Sequence, residues 1–255
     1  MRYALISDIH ANLPALRAVL DDIDARKDVD AVYHLGDLTG YAPWPNEVVS
    51  LLREREIPGV AGNYDSTVAT DYKHCGCRAD TPRDEELSHL SFDWTRAHVT
   101  SATKQYLGSL PFRVDIRPLG GHVSGPTVTL VHGNQTLNTV YVTEDRPDSF
   151  LENMAKGIGA RAGDVICFGH THKPWQRTVG GVQFINTGSV GRPKDGDWRA
   201  CYVLLTIDQS AASVEFVRVS YDVDQAVSAI RETDLPNEFA EVLKSGGARL
   251  AATIR

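Results

Sequence analysis

Long apolar runs and basic tracts are both absent from this sequence of 255 residues. The longest apolar run, Ala200–Leu205, is far shorter than the roughly 20 residues that a helix needs to cross a bilayer. Lys and Arg number 26 against 33 Asp and Glu, which gives a net charge of −7. We therefore expect no membrane anchor and no general surface for nucleic acids or anionic lipids.

Cysteine is scarce as well, with four residues in the chain. Cys167 and Cys201 lie within apolar, strand-like runs, where a free thiol packs as a small core residue. Cys75 and Cys77 are separated by one glycine and belong to no recognisable disulfide framework. The apolar stretch that follows Met1 is too short for the core of a signal peptide, so we expect a cytoplasmic protein.

The first third of the chain alternates short apolar runs with helical periodicity, which is typical of an α/β fold with parallel strands. Strands are predicted at Tyr3–Ser7, Ala31–Leu35 and Ile57–Ala61. One helix is predicted after Asn12, which can cap it, and another over Glu47–Glu54. Right-handed crossovers between parallel strands follow from this order.

Residues 64–110 differ from this pattern because they are polar and favour helices. We interpret them as an insertion of two or three helices that forms a lid. Further strands are predicted at Val114–Ile116, Thr127–Val131, Val165–Phe168, Gln176–Val179, Val182–Asn186, Ala200–Ile207 and Val214–Val219. Gly180-Gly181 marks a hairpin, and two C-terminal helices are predicted over residues 223–246. A single domain over residues 1–255 accounts for all of these segments.

Five polar clusters directly follow predicted strands. They are Asp8-Ile9-His10, Gly36-Asp37, Gly62-Asn63-Tyr64-Asp65, His132-Gly133 and Gly169-His170-Thr171-His172. Ligand sites in open α/β sheets gather at the carboxyl ends of the strands, so these clusters can converge on one point. Residues i and i+2 of an extended segment project to the same side. We therefore expect Asp8 with His10, and His170 with His172, to be presented together.

Seven side chains in these clusters are candidate metal ligands: Asp8, His10, Asp37, Asn63, His132, His170 and His172. Imidazole and oxygen donors without a thiolate suit Mn, Fe, Zn or Ni better than Ca or Mg. A single Asp-x-His or His-x-His pair is weak evidence, because such pairs also occur at ordinary strand edges. The five clusters in this order instead indicate a site for two divalent ions about 3.5–4 Å apart.

These residues resemble the calcineurin-like metallophosphoesterases. The family pattern is D-x-H, G-D, G-N-H-D/E, H and G-H-x-H, and the similarity extends from Asp8 to Gly191. The segment Asn186-Thr187-Gly188-Ser189-Val190-Gly191 is similar to that of small bacterial and archaeal phosphodiesterases. The resemblance implies a four-layer α-β-β-α sandwich, in which helices flank two facing mixed sheets.

The resemblance also implies how the seven ligands divide between two metals. One metal would be bound by Asp8, His10, Asp37 and His172. The other would be bound by Asp37, Asn63, His132 and His170, so that Asp37 bridges them. Manganese is the metal that we expect first, with iron, zinc or nickel as alternatives.

Such a site is expected to hydrolyse phosphoesters with a hydroxide that bridges the two metals. We expect a phosphodiesterase that acts on small or nucleotide-like esters. One alternative is a phosphomonoesterase, either a phosphoprotein phosphatase or a nucleotidase. Another is a non-catalytic metal-binding scaffold, since the same fold serves as a trafficking subunit in retromer. A homo-oligomer is compatible with all three.

Tyr64 departs from the family pattern, in which many members have a histidine that protonates the leaving group. A phenol has an ordinary pKa of about 10 and is therefore a poorer general acid near pH 7. A catalytic Tyr64 would favour activated esters, diesters or anhydrides over alkyl phosphomonoesters. Alternatively, Tyr64 packs at its loop and another group supplies the proton.

Several further side chains have two interpretations each. Asp65 either orients a metal ligand or caps the helix that follows it. Asn12 either reaches the substrate phosphate or caps its own helix. Arg192 either binds a phosphate through its guanidinium group or lies on the surface.

The insertion adds four further candidates: His74, Cys75, Cys77 and His98. His74 or His98 could touch substrate from the lid. His74 with Cys75 and Cys77 suggests a third metal site or a redox pair. A structural zinc site usually needs four ligands, and no matching second half is present in the sequence.

Overall fold

The computed structural model describes residues 1–117, 125–208 and 212–247. Its elements in chain order are β1 (Arg2–Ile6), α1 (Leu13–Arg26), β2 (Ala31–His34), α2 (Pro45–Glu54), α3 (Asn63–Ala69), α4 (Pro82–His98), α5 (Ser101–Ser109), β3 (Val114–Ile116), β4 (Val128–Leu130), α6 (Asp148–Ile158), β5 (Val165–Phe168), β6 (Trp175–Val179), β7 (Val182–Asn186), β8 (Ala200–Ile207), β9 (Ala212–Val219), α7 (Val223–Arg231) and α8 (Glu238–Ser245). None of these described helices is long and apolar enough to span a membrane.

The strands form two mixed sheets that face each other. The first sheet has the order β2-β1-β8-β9, and β1 pairs in parallel with β2 and antiparallel with β8. The second has the order β3-β4-β5-β7-β6, in which β4, β5 and β7 are parallel. Leu5 and Val203 of the first sheet share a buried cluster with Val165 and Ile185 of the second. Burial of these apolar side chains between the sheets is what holds the two layers together.

Helices cover the outer face of each sheet. Leu16 of α1 and Val227 of α7 are buried in one cluster with Leu204 of the first sheet. Leu151 of α6 is buried with Phe184 of the second sheet. The four-layer α-β-β-α sandwich implied by the sequence resemblance is therefore confirmed.

The third strand predicted in the first third of the chain is wrong. Within Ile57–Ala61, only Gly59 forms a bridge, and its partner is His34 at the end of β2. The approach is close, since a Cβ atom at Gly59 would lie 2.1 Å from the backbone oxygen of His34. The chain then leaves β2, because the Ala61 N–H donates to the carbonyl of Pro111. An apolar run alone cannot show that the pairing stops after one residue.

The other predicted strands are present, with ends that differ by at most two residues. The hairpin between β6 and β7 is closed by Gly180 and Gly181, which both have positive φ. The insertion contains three helices, α3 to α5, and the C-terminal helices end at Gly246. Helix α6 was not predicted, although its buried Leu151, Met154 and Ile158 recur at helical spacing.

Candidate metal centre

The loops that follow β1, β2, β4 and β5 meet at one end of the sandwich. Backbone hydrogen bonds join them: the Asp8 N–H donates to the carbonyl of Gly36, and the His10 N–H donates to that of Asp37, both at 3.0 Å. The Gly169 N–H donates to the carbonyl of His132 at the same distance. The polar residues at the strand ends are thus brought together by the backbone itself, as the strand order predicts.

Two groups of three side chains result, and every member is buried. One contains Asp8, His10 and His172, and the other contains Asp37, His132 and His170; the ligand atoms of each group lie within 4.8 Å of one another. Each group takes donors from loops of both sheets, because Asp8, His10 and Asp37 follow strands of the first sheet and the remaining histidines follow strands of the second. We call these groups the first and the second triad.

Asp37 belongs to the second triad and also approaches the first. Its Oδ2 atom is 3.4 Å from Nε2 of His132 in the second triad and 3.7 Å from Nε2 of His10 in the first. Its other oxygen, Oδ1, accepts a hydrogen bond from the backbone N–H of Tyr64. One carboxylate oxygen is therefore held by the backbone while the other is shared by both groups.

Three imidazole rings are oriented by backbone carbonyls. Nδ1 of His10, His132 and His172 lies 2.9, 2.7 and 2.6 Å from the carbonyl oxygens of Thr39, Leu35 and Arg192 respectively. A carbonyl only accepts, so each Nδ1 carries a hydrogen and each Nε2 is directed towards the centre. Nε2 of His10 and Nε2 of His172 are 3.1 Å apart. Two lone pairs at that distance fit a cation bound beside them.

An orphaned carboxylate oxygen also fits a cation. Asp8 is fully buried, and its Oδ2 accepts hydrogen bonds from the Ser7 hydroxyl and the His170 N–H. Its Oδ1 has no hydrogen-bond partner among the described residues and lies 3.3 Å from Nε2 of His172. A buried charged oxygen without a partner is costly unless a cation neutralises it. The donor set of both triads, imidazole and carboxylate, suits a divalent transition metal.

The protonation states of the histidines favour metal binding. Burial, reinforced by His172, lowers the pKa of His10 to about 3, and burial with His132 does the same for His170. Neutral imidazole is the form that binds a metal. His132 differs: burial alone would lower its pKa, but the Asp37 carboxylate raises it to about 10. His132 and Asp37 thus attract each other, and a metal that binds there must displace the imidazole proton.

The backbone of the ligand loops is in the left-handed region. Asp8, His10, Asp37, His170 and His172 have φ values of 51°, 47°, 52°, 66° and 60°. The explanation expected from the sequence, an extended segment that projects residues i and i+2 to one side, is therefore wrong. Asp8 and His10 still share the first triad, whereas His172 belongs to the first triad and His170 to the second. Non-glycine residues in this region cost about 1–3 kcal/mol each and persist where surrounding contacts hold them, typically at functional sites.

Close approach of these loops requires glycine at two positions. A Cβ atom at Gly62 would lie 2.1 Å from Oδ1 of Asp37. One at Gly169 would lie 2.4 Å from Oδ2 of Asp8. Any side chain at either position would displace a carboxylate of the centre.

Asn63 and Asp65 contact the second triad in different ways. Oδ1 of Asn63 lies 3.1 Å from Nε2 of His132. The carboxylate of Asp65 accepts hydrogen bonds from the backbone N–H groups of Gly62, Asp37 and Leu38. Burial and the nearby Asp37 raise the pKa of Asp65 to about 7. Asp65 therefore both caps α3 and orients the Asp37 loop, and it faces backbone rather than substrate.

Tyr64 is fully buried. Its hydroxyl donates to Oγ of Ser91 at 3.1 Å, and its ring packs 5.3 Å from that of Tyr41. Burial and Tyr41 raise the pKa of Tyr64 well above its ordinary value. These surroundings favour the packing alternative for Tyr64 over the role of proton donor.

A cavity of about 620 Å³ opens beside the two triads. His10, Asp37, His170 and His172 form its floor, and the insertion and α8 supply further walls, with Cys77, Arg83 and Phe239 among the lining residues. The insertion therefore borders the metal centre, as expected of a lid.

Three of the cationic side chains that line the cavity come from the loops after β5 and β7: Lys173, Arg192 and Lys194. The guanidinium carbon of Arg192 lies 4.0 Å from the ring centre of Tyr41. Burial and the neighbouring Arg192 lower the pKa of Lys194 to about 7. Only Arg192 of the three is expected from the sequence, because a lone Lys near a glycine-rich loop carries no signal of its own. Arg192 and Lys194 thus lie beside His172 of the first triad, where positive charge suits an anionic ligand. The side of the cavity formed by the insertion and α8 carries both signs of charge, from Arg78, Arg83, Asp80, Asp84, Glu238 and Glu241.

Three other side chains considered for substrate binding do not line this cavity. Asn12 caps α1 by accepting from the Ala15 N–H, and its amide nitrogen donates to the Gly191 carbonyl, so both ends are engaged. His74 is exposed and accepts from the N–H of Gly76. His98 is exposed and stacks on Trp94 one turn earlier in α4. The structure favours the capping alternative for Asn12 and brings neither histidine to the centre.

Cys75 and Cys77 are joined by a disulfide bond. Within the described ranges, the two triads are the only groups of three or more His, Cys, Asp or Glu side chains placed to hold a metal. The redox-pair alternative is therefore favoured over a third metal site. Cys167 and Cys201 are free and buried, as the sequence predicts.

Known proteins share both the sequence and the fold. The family model of the calcineurin-like phosphoesterase superfamily domain matches residues 1–210. The uncharacterised protein MJ0912 of Methanocaldococcus jannaschii is 30% identical over 264 aligned positions, which cover 95% of this chain and 97% of that protein. The crystal structure of a metallophosphoesterase from Sphaerobacter thermophilus is 29% identical with a TM-score of 0.73, and the match covers 96% of this chain and 99% of that one.

A more distant relative supports the fold alone. The hypothetical protein PH1004 of Pyrococcus horikoshii is 21% identical in sequence, and its crystal structure superposes with a TM-score of 0.80. The match covers 98% of this chain and 99% of that protein's chain. Together with the family match and the two buried triads, these likenesses place the molecule: the chain belongs to the calcineurin-like phosphoesterase superfamily.

Proposed function

We propose that this chain is a phosphodiesterase that uses two divalent metal ions, with manganese as the first candidate. The observation that carries the proposal is the position of Asp37, whose Oδ2 atom lies between two buried carboxylate–imidazole triads at the floor of an open cavity. A carboxylate in that position is suited to bridge two cations.

The ligand sets follow from the contacts. Asp8, His10 and His172 with Asp37 would hold one metal, and Asp37 with Asn63, His132 and His170 would hold the other. Asn63 is included because its Oδ1 approaches Nε2 of His132, the same atom that Oδ2 of Asp37 and Nδ1 of His170 approach. Two divalent ions held in this way neutralise phosphate charge and lower the pKa of water, so that hydroxide is available near neutral pH.

Residues around the cavity would bind and orient the substrate. Arg192 and Lys194 supply positive charge at the wall beside the first triad, where the phosphate of an ester would lie. A cavity of about 620 Å³ accommodates a small or nucleotide-like ester rather than a macromolecule. The insertion would act as a lid that limits water around the reacting phosphate.

The test is hydrolysis of bis(p-nitrophenyl) phosphate and p-nitrophenyl phosphate by metal-stripped protein reloaded with Mn²⁺. His172→Asn removes a ligand, and His98→Asn is the matched control because His98 is exposed and lies outside the cavity. We expect diester turnover that requires metal, falls by about 100-fold in His172→Asn and is unchanged in His98→Asn.

Other outcomes would redirect the assignment. Faster turnover of the monoester would contradict the phosphodiesterase and support the phosphomonoesterase alternative. No turnover of either compound, with two metals bound per chain, would support the scaffold alternative. A cytoplasmic location and a homo-oligomer stay predictions.

A further inference from the structure

The turn Cys75-Gly76-Cys77 determines which end of the Asn63 side chain faces the metal centre. The amide nitrogen Nδ2 of Asn63 donates to the backbone oxygen of Cys75 at 2.9 Å and approaches Sγ of Cys77 at 3.5 Å. Because the two ends of a carboxamide are fixed relative to each other, this leaves Oδ1 pointing at His132 in the second triad. Oxygen is the end that can bind a metal.

The turn is braced from several directions. The disulfide closes it, and the Cys77 N–H donates to Sγ of Cys75 at 3.2 Å. Sγ of Cys75 contacts the hydroxyl of Ser88 on α4 at 3.2 Å. Gly76 has a φ of +75°, and a Cβ atom there would lie 2.7 Å from Cγ2 of Thr139. The position of the turn therefore leaves little freedom to the carbonyl that holds Asn63.

The segment that follows the turn also reaches the second triad, through Tyr141. The backbone N–H of Arg78 donates to the hydroxyl of Tyr141 at 3.2 Å. The Tyr141 ring packs against His170, with ring centres 4.1 Å apart. The described hydrogen bonds of residues 75–78 reach no member of the first triad.

We propose that the Cys75–Cys77 disulfide positions Asn63 and thereby makes the metal of the second triad sensitive to the redox state of the protein. This inference rests on the two-metal site of the proposed function but not on its catalytic activity. A dithiol reductant would open the disulfide by exchange: its two thiols form a disulfide, and Cys75 and Cys77 each gain a hydrogen. Cys77 is half-buried and lines the cavity, so a reductant has a route to the bond. Disulfides in a reducing compartment are usually transient or regulatory.

Metal affinity of the intact protein tests the proposal without any phosphoester. Metal-free protein is divided into a disulfide form and a form that is reduced, desalted without oxygen and checked by thiol counting. Each is titrated with Mn²⁺, and free Mn²⁺ is counted by electron paramagnetic resonance. We expect two bound ions in the disulfide form; on reduction, one binding step weakens by about 10-fold while the other changes by less than about twofold. Reoxidation restores the first value.

Variants separate positioning from general damage to the fold. Cys75→Ser with Cys77→Ser should reproduce the reduced form under all conditions, and Asn63→Ala should bind the same metal weakly with no response to reductant. Gly76→Ala keeps both sulfurs but disturbs the turn, so it should weaken that metal too. Gly180→Ala is its matched control, because Gly180 also has positive φ but has open space around it.

Three results would overturn the proposal. Reduction could leave both affinities unchanged. It could weaken both metals equally together with a lower melting temperature, which would mean that the disulfide only supports the fold. In a parallel titration with Zn²⁺, reduction could also tighten binding, which would make the Cys77 thiolate a ligand in its own right.

Discussion

The carboxylate of Asp65 accepts a hydrogen bond from the backbone N–H of Asp37 at 2.8 Å. The same carboxylate accepts from Gly62 and Leu38, so it joins the loop after β2 to the first turn of α3. The metal-facing side chain of Asp37 is thus fixed through its own backbone by a residue that does not reach the cavity.

Asp65→Asn tests this link. An amide turns an NH₂ group towards backbone N–H donors, so at least one of the three hydrogen bonds must break. We expect metal affinity to fall by about 10- to 100-fold, measured as Mn²⁺ retained per chain after dialysis. Asp93→Asn is the control, since Asp93 is exposed and its carboxylate lies 3.9 Å from the guanidinium group of Arg96, at the edge of ion-pair range. Full retention in Asp65→Asn would contradict the positioning role.

Tyr64→Phe separates the two interpretations of the tyrosine. The variant keeps the buried ring and removes only the hydroxyl that bonds Ser91. We expect turnover of aryl and alkyl diesters within about threefold of the wild type, together with a loss of about 1 kcal/mol in the free energy of unfolding. A selective loss of alkyl ester hydrolysis would show instead that the phenol protonates the leaving group.

Arg192→Gln removes charge from the cavity wall without touching a metal ligand side chain. If Arg192 binds the substrate phosphate equally in the ground state and the transition state, as the proposed function requires, KM for the diester should rise by about 10-fold with little change in kcat. Arg53→Gln is the matched control, because Arg53 also lies over an aromatic ring, that of Tyr106, but not in the cavity. An unchanged KM would show that Arg192 does not contribute to substrate binding.

His34 makes the stability of the protein depend on pH. It is fully buried, both ring nitrogens lack hydrogen-bond partners among the described residues, and burial lowers its pKa to about 3. The unfolded chain binds a proton at this residue below about pH 6.5, whereas the native chain does not. The free energy of unfolding should therefore fall by up to about 1.4 kcal/mol per pH unit as the pH drops from 6.5 towards 3.

Urea unfolding of metal-free wild type and His34→Gln between pH 4.5 and 7 measures this contribution. The other buried histidines contribute equally to both proteins, so the difference between the two slopes isolates His34. We expect the pH dependence of the free energy of unfolding to be weaker in the variant, by an amount that corresponds to about one bound proton. Equal slopes would mean that His34 is protonated in the native state.

The metal triads could be predicted because their residues lie in short clusters that directly follow predicted strands. The parallel pairing of β1 with β2 then brings Asp8 and Asp37 to the same edge. The left-handed φ of Asp8 and His10 could not be predicted, since it is imposed by backbone hydrogen bonds to the distant residues Gly36 and Asp37. Spacing therefore led to the correct residues through an incorrect local geometry, and it paired His170 with His172 although they lie in different triads.

Side-chain partners outside the triads were less accessible to prediction. Whether His98 turns to substrate or stacks on Trp94 depends on the packing of α4, which no motif records. Lys194 is a candidate only because the chain folds its loop over His172, to whose carbonyl its N–H donates. The link between Asn63 and Cys75 spans only 12 residues, yet it follows from the turn geometry rather than from either residue type.

Each triad draws its donors from loops of both sheets. A cation bound in either triad would be coordinated from both sheets at once and would therefore hold the two layers together at this end of the sandwich. Metal release and separation of the layers at that end are then a single coupled event, because neither half alone carries a complete set of donors. The loaded protein should therefore resist separation of the layers at that end more strongly than the metal-free protein, in which apolar contacts and hydrogen bonds such as that from the His170 N–H to Oδ2 of Asp8 join the two sheets.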